Sequence, residues 1–155
     1  MTDHAGEAIL NAACFRMGVF GARLTREFSG RIEQIGLSHK QVGLLAVVGA
    51  GLAQSQREIA SQLHVAPSLV VSLVDQLIEL GAVTRSRSTS DRRVQVIELT
   101  EQGRELLRVS ASAAQELDAE VRAGLSQHGQ LALDTLLRDL DARNPIIETP
   151  PGASA

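Results

Sequence analysis

Residues 55–99 read SQREIASQLHVAPSLVVSLVDQLIELGAVTRSRSTSDRRVQVIEL, and this stretch decides the fold. Ser55 followed by Glu58 fits a capping box, in which each side chain satisfies an orphan N–H of the other's backbone. Ile59, Ala60 and Leu63 then form the apolar face of a short helix. His64-Val65-Ala66 is a turn. Pro67 opens a second helix, because the N–H it lacks is unsatisfied in a first turn anyway. Val70, Val74 and Leu77 make its buried stripe, and Gly81 stops it after Leu80. Ser68, Val71, Ser72, Asp75 and Gln76 lie largely off that stripe. The period then changes to two. Val83, Arg85 and Arg87 alternate with Thr84 and Ser86, and Val94, Val96 and Glu98 alternate with Gln95, Ile97 and Leu99. Ser88-Thr89-Ser90-Asp91 between them is turn chemistry, so the segment is a β-hairpin with a polar, basic tip.

A short helix, a tight turn and a longer helix make a helix-turn-helix, and a basic hairpin straight after it makes a wing. The physics of that pair suits double-stranded DNA. The second helix fits the major groove, and arginines at a hairpin tip suit the focused negative potential of a narrow minor groove. The expected base readers are Ser68, Val71, Ser72 and Gln76, with Arg87, Arg92 and Arg93 contacting DNA from the wing. Lys40 and Arg57 are candidate phosphate contacts. Each has a plainer alternative, since Arg85 and Arg87 could be solvated strand residues, Asp91 a turn former and Asp75 a surface residue.

Working outward, the whole chain is expected to be mainly α. Ile9, Ala13, Met17, Phe20, Leu24, Phe28, Ile32 and Ile35 are separated by 4, 4, 3, 4, 4, 4 and 3 residues, which predicts one long helix over about 5–35. Its three Phe residues pack a core or line a ligand pocket. Ser38 and Gln41 fit a second capping box, opening a helix with Val42, Leu45 and Val48 that ends at Gly49-Ala50-Gly51. Thr100 opens a helix to about Ala123, and Ser126 opens another with Leu133, Leu136, Leu137 and Leu140 on one face. The expected division is 1–36 an N-terminal dimerisation helix, 37–100 the winged helix-turn-helix, 101–143 C-terminal dimerisation helices and 144–155 a tail.

Composition narrows the partners. A length of 155 residues, 44% hydrophobic and 21% charged, is about one globular domain. Three Phe with no Trp or Tyr disfavours single-strand recognition by base stacking. The net charge of −3 hides an asymmetry: residues 1–97 carry 10 basic and 8 acidic groups, whereas 98–155 carry 5 and 10. The positive balance therefore lies with the reader, where a local cluster matters more than the total. One cysteine, Cys14, allows no internal disulfide and no Cys/His zinc cluster, so neither metal nor cofactor is expected. The longest apolar stretch, Val42 to Ala53, is well short of the ~18–20 residues that cross a bilayer, and Asp3 and Glu7 break any signal-peptide pattern. No membrane partner and a cytoplasmic location are expected.

These residues resemble the MarR family of regulators. The runs Gln56-Arg57-Glu58-Ile59-Ala60, Val65-Ala66-Pro67-Ser68, Val74-Asp75-Gln76-Leu77 and Gly81-Ala82-Val83 look like its winged helix. Ser90-Asp91-Arg92-Arg93 and Leu99-Thr100-Glu101-Gln102-Gly103 look like its D-R-R wing and L-T-x-x-G helix start. The resemblance covers about residues 8–141. It implies a homodimeric bacterial repressor that reads a pseudo-palindromic site and is released by a small aromatic or anionic effector. It also implies that Asp75 braces the wing through Arg93, with Asp91 shaping the tip. Ser72 stands where the family often has an arginine, which shifts readout toward weaker contacts and groove shape. His64 stands where a glycine is common.

Two other functions are open at this level. Cys14-Phe15 resembles the placement of the peroxide-sensing thiol in the OhrR subgroup, but that subgroup's tyrosines are absent here. The missing recognition arginine would also suit a winged-helix interaction module that no longer reads sequence. An enzyme is not expected, since His4, His39, His64 and His128 form no catalytic motif.

Overall fold

The computed structural model describes residues 4–143 and 145, so the expected tail over 144–155 lies, apart from Pro145, outside the described residues. The elements run α1 (His4–Asn11), α2 (Ala13–Glu33), α3 (His39–Gly49), α4 (Gln56–Gln62), α5 (Pro67–Glu79), β1 (Val83–Arg87), β2 (Gln95–Leu99), α6 (Glu101–Ala123) and α7 (Gln127–Arg143). The chain divides into two compact units, one ending at His39 and the other beginning at Lys40.

In the first unit the single helix expected over 5–35 is two. Ala12 is extended, with φ −64° and ψ 130°, and separates α1 from α2. Its N–H bonds back to Ile9 O at 3.1 Å while its carbonyl already accepts from Arg16 N at 3.0 Å, so the chain restarts at once. No proline, glycine or side-chain cap stands at the break, and nothing in the structure explains it. Ile32 is fully buried, but Ile9, Leu10, Phe15, Met17, Val19 and Phe20 are exposed.

The second unit holds the winged helix. Val70, Leu73, Val74 and Leu77 are the buried face of α5, packed with Ile59 and Ala60 of α4 and the hairpin residues Val83 and Ile97 in one core. Each fully buried side chain of this size contributes about 1.5–3 kcal/mol. The hairpin pairs Val83 with Leu99 through Arg87 with Gln95. Ile97 N–H also bonds to Gln54 O at 2.8 Å, tying β2 to the strand-like approach to α4. On α6, Ser110 and Leu117 are buried, and Ser110 Oγ is satisfied by Leu106 O at 2.8 Å. Arg122 reaches Asp118 at 2.7 Å and Asp134 at 2.9 Å, joining α6 to α7.

Helices α4 and α5 close in the same manner. A residue in the left-handed region follows the last turn, and the next N–H bonds to the carbonyl five residues back, a Schellman close that satisfies orphan carbonyls. In α5, Gly81 (φ 69°) turns the chain and Ala82 N bonds to Leu77 O at 2.8 Å. In α4 the same position is His64 (φ 51°), with Val65 N on Ala60 O at 3.1 Å. Among the described residues His64 is the one non-glycine at positive φ. A side chain there carries a steric penalty that glycine avoids.

The end of α5 is also gripped from α6. Thr100 N bonds to Ala82 O at 3.0 Å, Thr100 Oγ1 donates to Gly81 O at 2.6 Å, and Gln102 Nε2 donates to Leu80 O at 2.9 Å. Thr100 Oγ1 in turn accepts from Gly103 N at 3.0 Å, capping α6. Gly103 lies so close that a Cβ would stand 2.9 Å from the Ala82 carbonyl carbon and nearer still to its oxygen. The L-T-x-x-G pattern thus has a physical meaning here: threonine joins two helices and glycine lets them touch.

Candidate nucleic-acid interface

Helix α4 is fixed by its capping box. Glu58 Oε2 accepts from Gln54 N and Ser55 N, each at 3.0 Å, and Ser55 Oγ accepts from Glu58 N at 3.2 Å. The backbone donors of Ser55 and then Gln54 hold the Glu58 carboxyl below its ordinary pKa. With α4 anchored and Pro67 at the first turn of α5, the second helix leaves the turn in a defined direction.

Ser68, Val71, Ser72, Asp75 and Gln76 are all exposed on α5, opposite its buried stripe. Val71 is 43% exposed while Val70, Leu73, Val74 and Leu77 of the same helix are buried, so its methyls are presented outward. Ser72 and Gln76 are joined to each other, Gln76 Nε2 donating to Ser72 Oγ at 3.3 Å. Gln76 Oε1 accepts from Gln41 Nε2 at 2.9 Å. Gln41, expected only as a helix cap, is 8% exposed and reaches across from α3.

In the wing, the expected pairing of Asp75 with Arg93 is corrected. Asp75 Oδ1 accepts from Arg85 Nη2 at 2.7 Å. Gly81 reverses the chain, so β1 runs back along α5, and Arg85 falls on the same strand face as buried Val83. Arg93 stands in the turn at the tip, outside the paired strand residues. Its N–H instead bonds to Asp91 Oδ1 at 2.9 Å, while Ser88 Oγ accepts from Ser90 N at 3.3 Å and Asp91 N at 3.4 Å. These side-chain bonds shape the turn. Among the described residues, the guanidinium groups of Arg87, Arg92 and Arg93 have no ion pair or hydrogen bond, and all three are exposed. Lys40 on α3 and Arg57 on α4 are likewise exposed and unpaired among the described residues. Five cations are therefore available to an anion.

Cys14 is exposed on α2, and its thiol makes no hydrogen bond or ion pair among the described residues. No group of three His, Cys, Asp or Glu side chains able to hold a metal occurs among the described residues. An open cleft of about 420 Å³ lies under the hairpin base beside Gly49, Thr84, Glu98 and Arg104. Arg104 is already engaged by Leu99 O and Glu101. No described helix is long and apolar enough to cross a membrane.

Sequence reasoning missed Arg85 as the brace and Gln41 as a neighbour of the reader. The first was signalled by the period-two face that Arg85 shares with Val83. The second had no sequence signal.

The α4–turn–α5 unit followed by a two-stranded hairpin defines a winged helix-turn-helix protein. Residues 37–94 match the MarR family model, which places the chain's resemblance to that family in α3, the helix-turn-helix and the first part of the wing. It is 28% identical over 136 residues to an HTH-type transcriptional repressor of Mycobacterium tuberculosis, covering 88% of this chain and 96% of that one. It is also 28% identical over 104 residues to an uncharacterized HTH-type transcriptional regulator of Bacillus subtilis, covering 66% of this chain and 63% of that protein's length. The fold resembles CouR of Rhodococcus jostii RHA1, solved bound to p-coumaroyl-CoA, with TM-score 0.76 and 23% identity over 87% of this chain and 93% of that one. It also resembles Staphylococcus aureus MepR in a DNA complex, with TM-score 0.74 and 19% identity over 85% and 98% of the two chains. The two sequence relatives are named as transcriptional regulators.

Proposed function

We propose that this protein is a homodimeric repressor that binds a pseudo-palindromic duplex site and is released by a small aromatic or anionic ligand. The observation that carries the reading is the reader and wing together. Exposed Ser68, Val71, Ser72 and Gln76 stand on one helix, and the adjoining hairpin offers Arg87, Arg92 and Arg93 unpaired. An arginine with no protein partner is what a phosphate or minor groove needs. Lys40 and Arg57 would add phosphate contacts. In the first unit α1 and α2 expose apolar side chains, and in the second α7 exposes Leu131, Leu136, Leu137 and Leu140; water disfavours each set, and a second copy would cover it. On this reading 1–36 and 101–143 build the dimer and 37–100 reads DNA. The ligand-bound and DNA-bound relatives support both partners.

Footprinting on the DNA upstream of the protein's own coding region, over a salt series, tests it. A protected two-fold site about one helical turn between half-sites is expected, with affinity falling steeply as salt rises. Uniform, sequence-independent protection would favour the interaction-module alternative. Exposure of the Cys14 thiol is the one observation that keeps redox sensing in view. Release of DNA by an organic hydroperoxide that is equal in wild type and Cys14→Ser would remove that alternative.

A further inference from the structure

We infer that Gln41, which belongs to α3 and not to the recognition helix, determines base selectivity by fixing which hydrogen-bonding groups Gln76 and Ser72 can offer. This rests on the reading that α5 enters the major groove. A free glutamine can contact adenine bidentately, accepting from N6 and donating to N7, and so needs both its oxygen and its nitrogen. Here Gln41 Nε2 donates to Gln76 Oε1 at 2.9 Å, which turns that oxygen toward α3. One Gln76 N–H is spent on Ser72 Oγ at 3.3 Å. With that oxygen turned to α3, the donors this pair can still offer are the second N–H of Gln76 and the O–H of Ser72, beside the one lone pair left on Ser72 Oγ. Exposed Val71 adds methyls one turn away.

A pair that leads with donors suits guanine, whose major-groove edge carries only the N7 and O6 acceptors. It mismatches cytosine, which presents a donor, and it meets adenine at N7 while leaving the N6 donor unaccepted. Gln41 is held firmly enough for this role, since it is 8% exposed and lies between α3 and α5 within one compact unit. The missing arginine at position 72 is then not simply a loss. A serine with one lone pair on Gln76 still carries a donor proton, and guanine remains the favoured base by a different route.

The test is selection of a randomised duplex pool by the full-length protein, comparing wild type with Gln41→Met, Gln41→Glu and Gln76→Ala. The base position read by Gln76 is the one whose preference disappears in Gln76→Ala. Wild type should prefer guanine there. Gln41→Met frees Gln76 Oε1 for the bidentate adenine contact, so adenine should gain on guanine by roughly tenfold, in the lower part of the range for such contacts. Gln41→Glu replaces the donor with an acceptor, so Gln76 must turn its amide and draw the Ser72 proton inward, and the guanine preference should fall. Far-UV circular dichroism checks that each variant folds, and if Gln41→Met does not, Gln41→Glu decides. A wild-type motif retained unchanged by the folded Gln41 variants would overturn this inference and leave the DNA-reading function standing. No enriched motif with wild type would overturn both.

Discussion

A methyl group on Gly103 would project into the backbone of Ala82, 2.9 Å from its carbonyl carbon and closer to the oxygen. The neighbour is main chain, so it cannot swing aside as a side chain would. Either the start of α6 or the Gly81-Ala82 turn must move by roughly an ångström, and overpacking of that kind costs about 1–3 kcal/mol. The same displacement stretches two bonds that join the elements, Thr100 N to Ala82 O at 3.0 Å and Thr100 Oγ1 to Gly81 O at 2.6 Å. Each is worth a net ~0.5–1.5 kcal/mol. Alanine returns about 1 kcal/mol in helix propensity. The balance for Gly103→Ala is a loss of about 2–4 kcal/mol, which at ~2–4 °C per kcal/mol lowers Tm by about 5–15 °C. The assay is thermal unfolding by far-UV circular dichroism, because no Trp or Tyr is present to report by fluorescence. Protein concentration is matched, so that the proposed self-association does not itself shift Tm. Gly124→Ala is the control. Gly124 is an αR C-cap whose added Cβ meets Val121 O at an ordinary 3.5 Å, so its Tm should hold or rise slightly. A Gly103→Ala protein as stable as wild type would refute the steric argument outright.

Four further expectations follow from the same geometry. Glu58 has a folded pKa below its unfolded value, so its share of stability is complete above the unfolded pKa and is lost as pH falls through the folded one. Acid unfolding monitored from about pH 5 downward should therefore be less steep in Glu58→Gln, and Ser55→Ala should cost ~1 kcal/mol at neutral pH. His64→Gly relieves a left-handed side chain at φ 51° and should be neutral or stabilising, whereas His64→Val should lose about 1–2 kcal/mol in denaturant melts. Arg92→Ala and Arg93→Ala should each reduce the slope of log affinity against log salt by about one while weakening all duplexes alike, and an unchanged slope would place them off the phosphates. Asp75→Asn breaks an exposed ion pair with Arg85, so DNA affinity should drop while Tm shifts by little, as suits a surface pair worth under ~1 kcal/mol.

The helix ends and the hairpin were legible because they are written in local chemistry. Ser55 with Glu58, Pro67, Gly81 and the period-two run from Val83 each report a backbone demand made within a few residues. The break at Ala12 was not legible, since alanine is the best helix former and no cap stands beside it. The brace was half legible: Asp75 was placed in contact with the wing, but which arginine met it depended on the strand running back along α5 after Gly81. Gln41 and Gln76 are 35 residues apart and meet only once α3 packs on α5. No periodicity or motif encodes a contact between two polar residues on different helices.

Only Leu80, Gly81 and Ala82 separate the recognition helix from the wing, and all three are held from α6 by Thr100 and Gln102. With Asp75 and Arg85 as a second tie, reader and wing have no hinge between them. They can only travel together. A signal that weakens DNA binding then has little purchase on the shape of either contact surface. In the proposed dimer, what such a signal can change is the separation at which two such rigid readers are offered to the duplex, which makes control a matter of spacing rather than of shape.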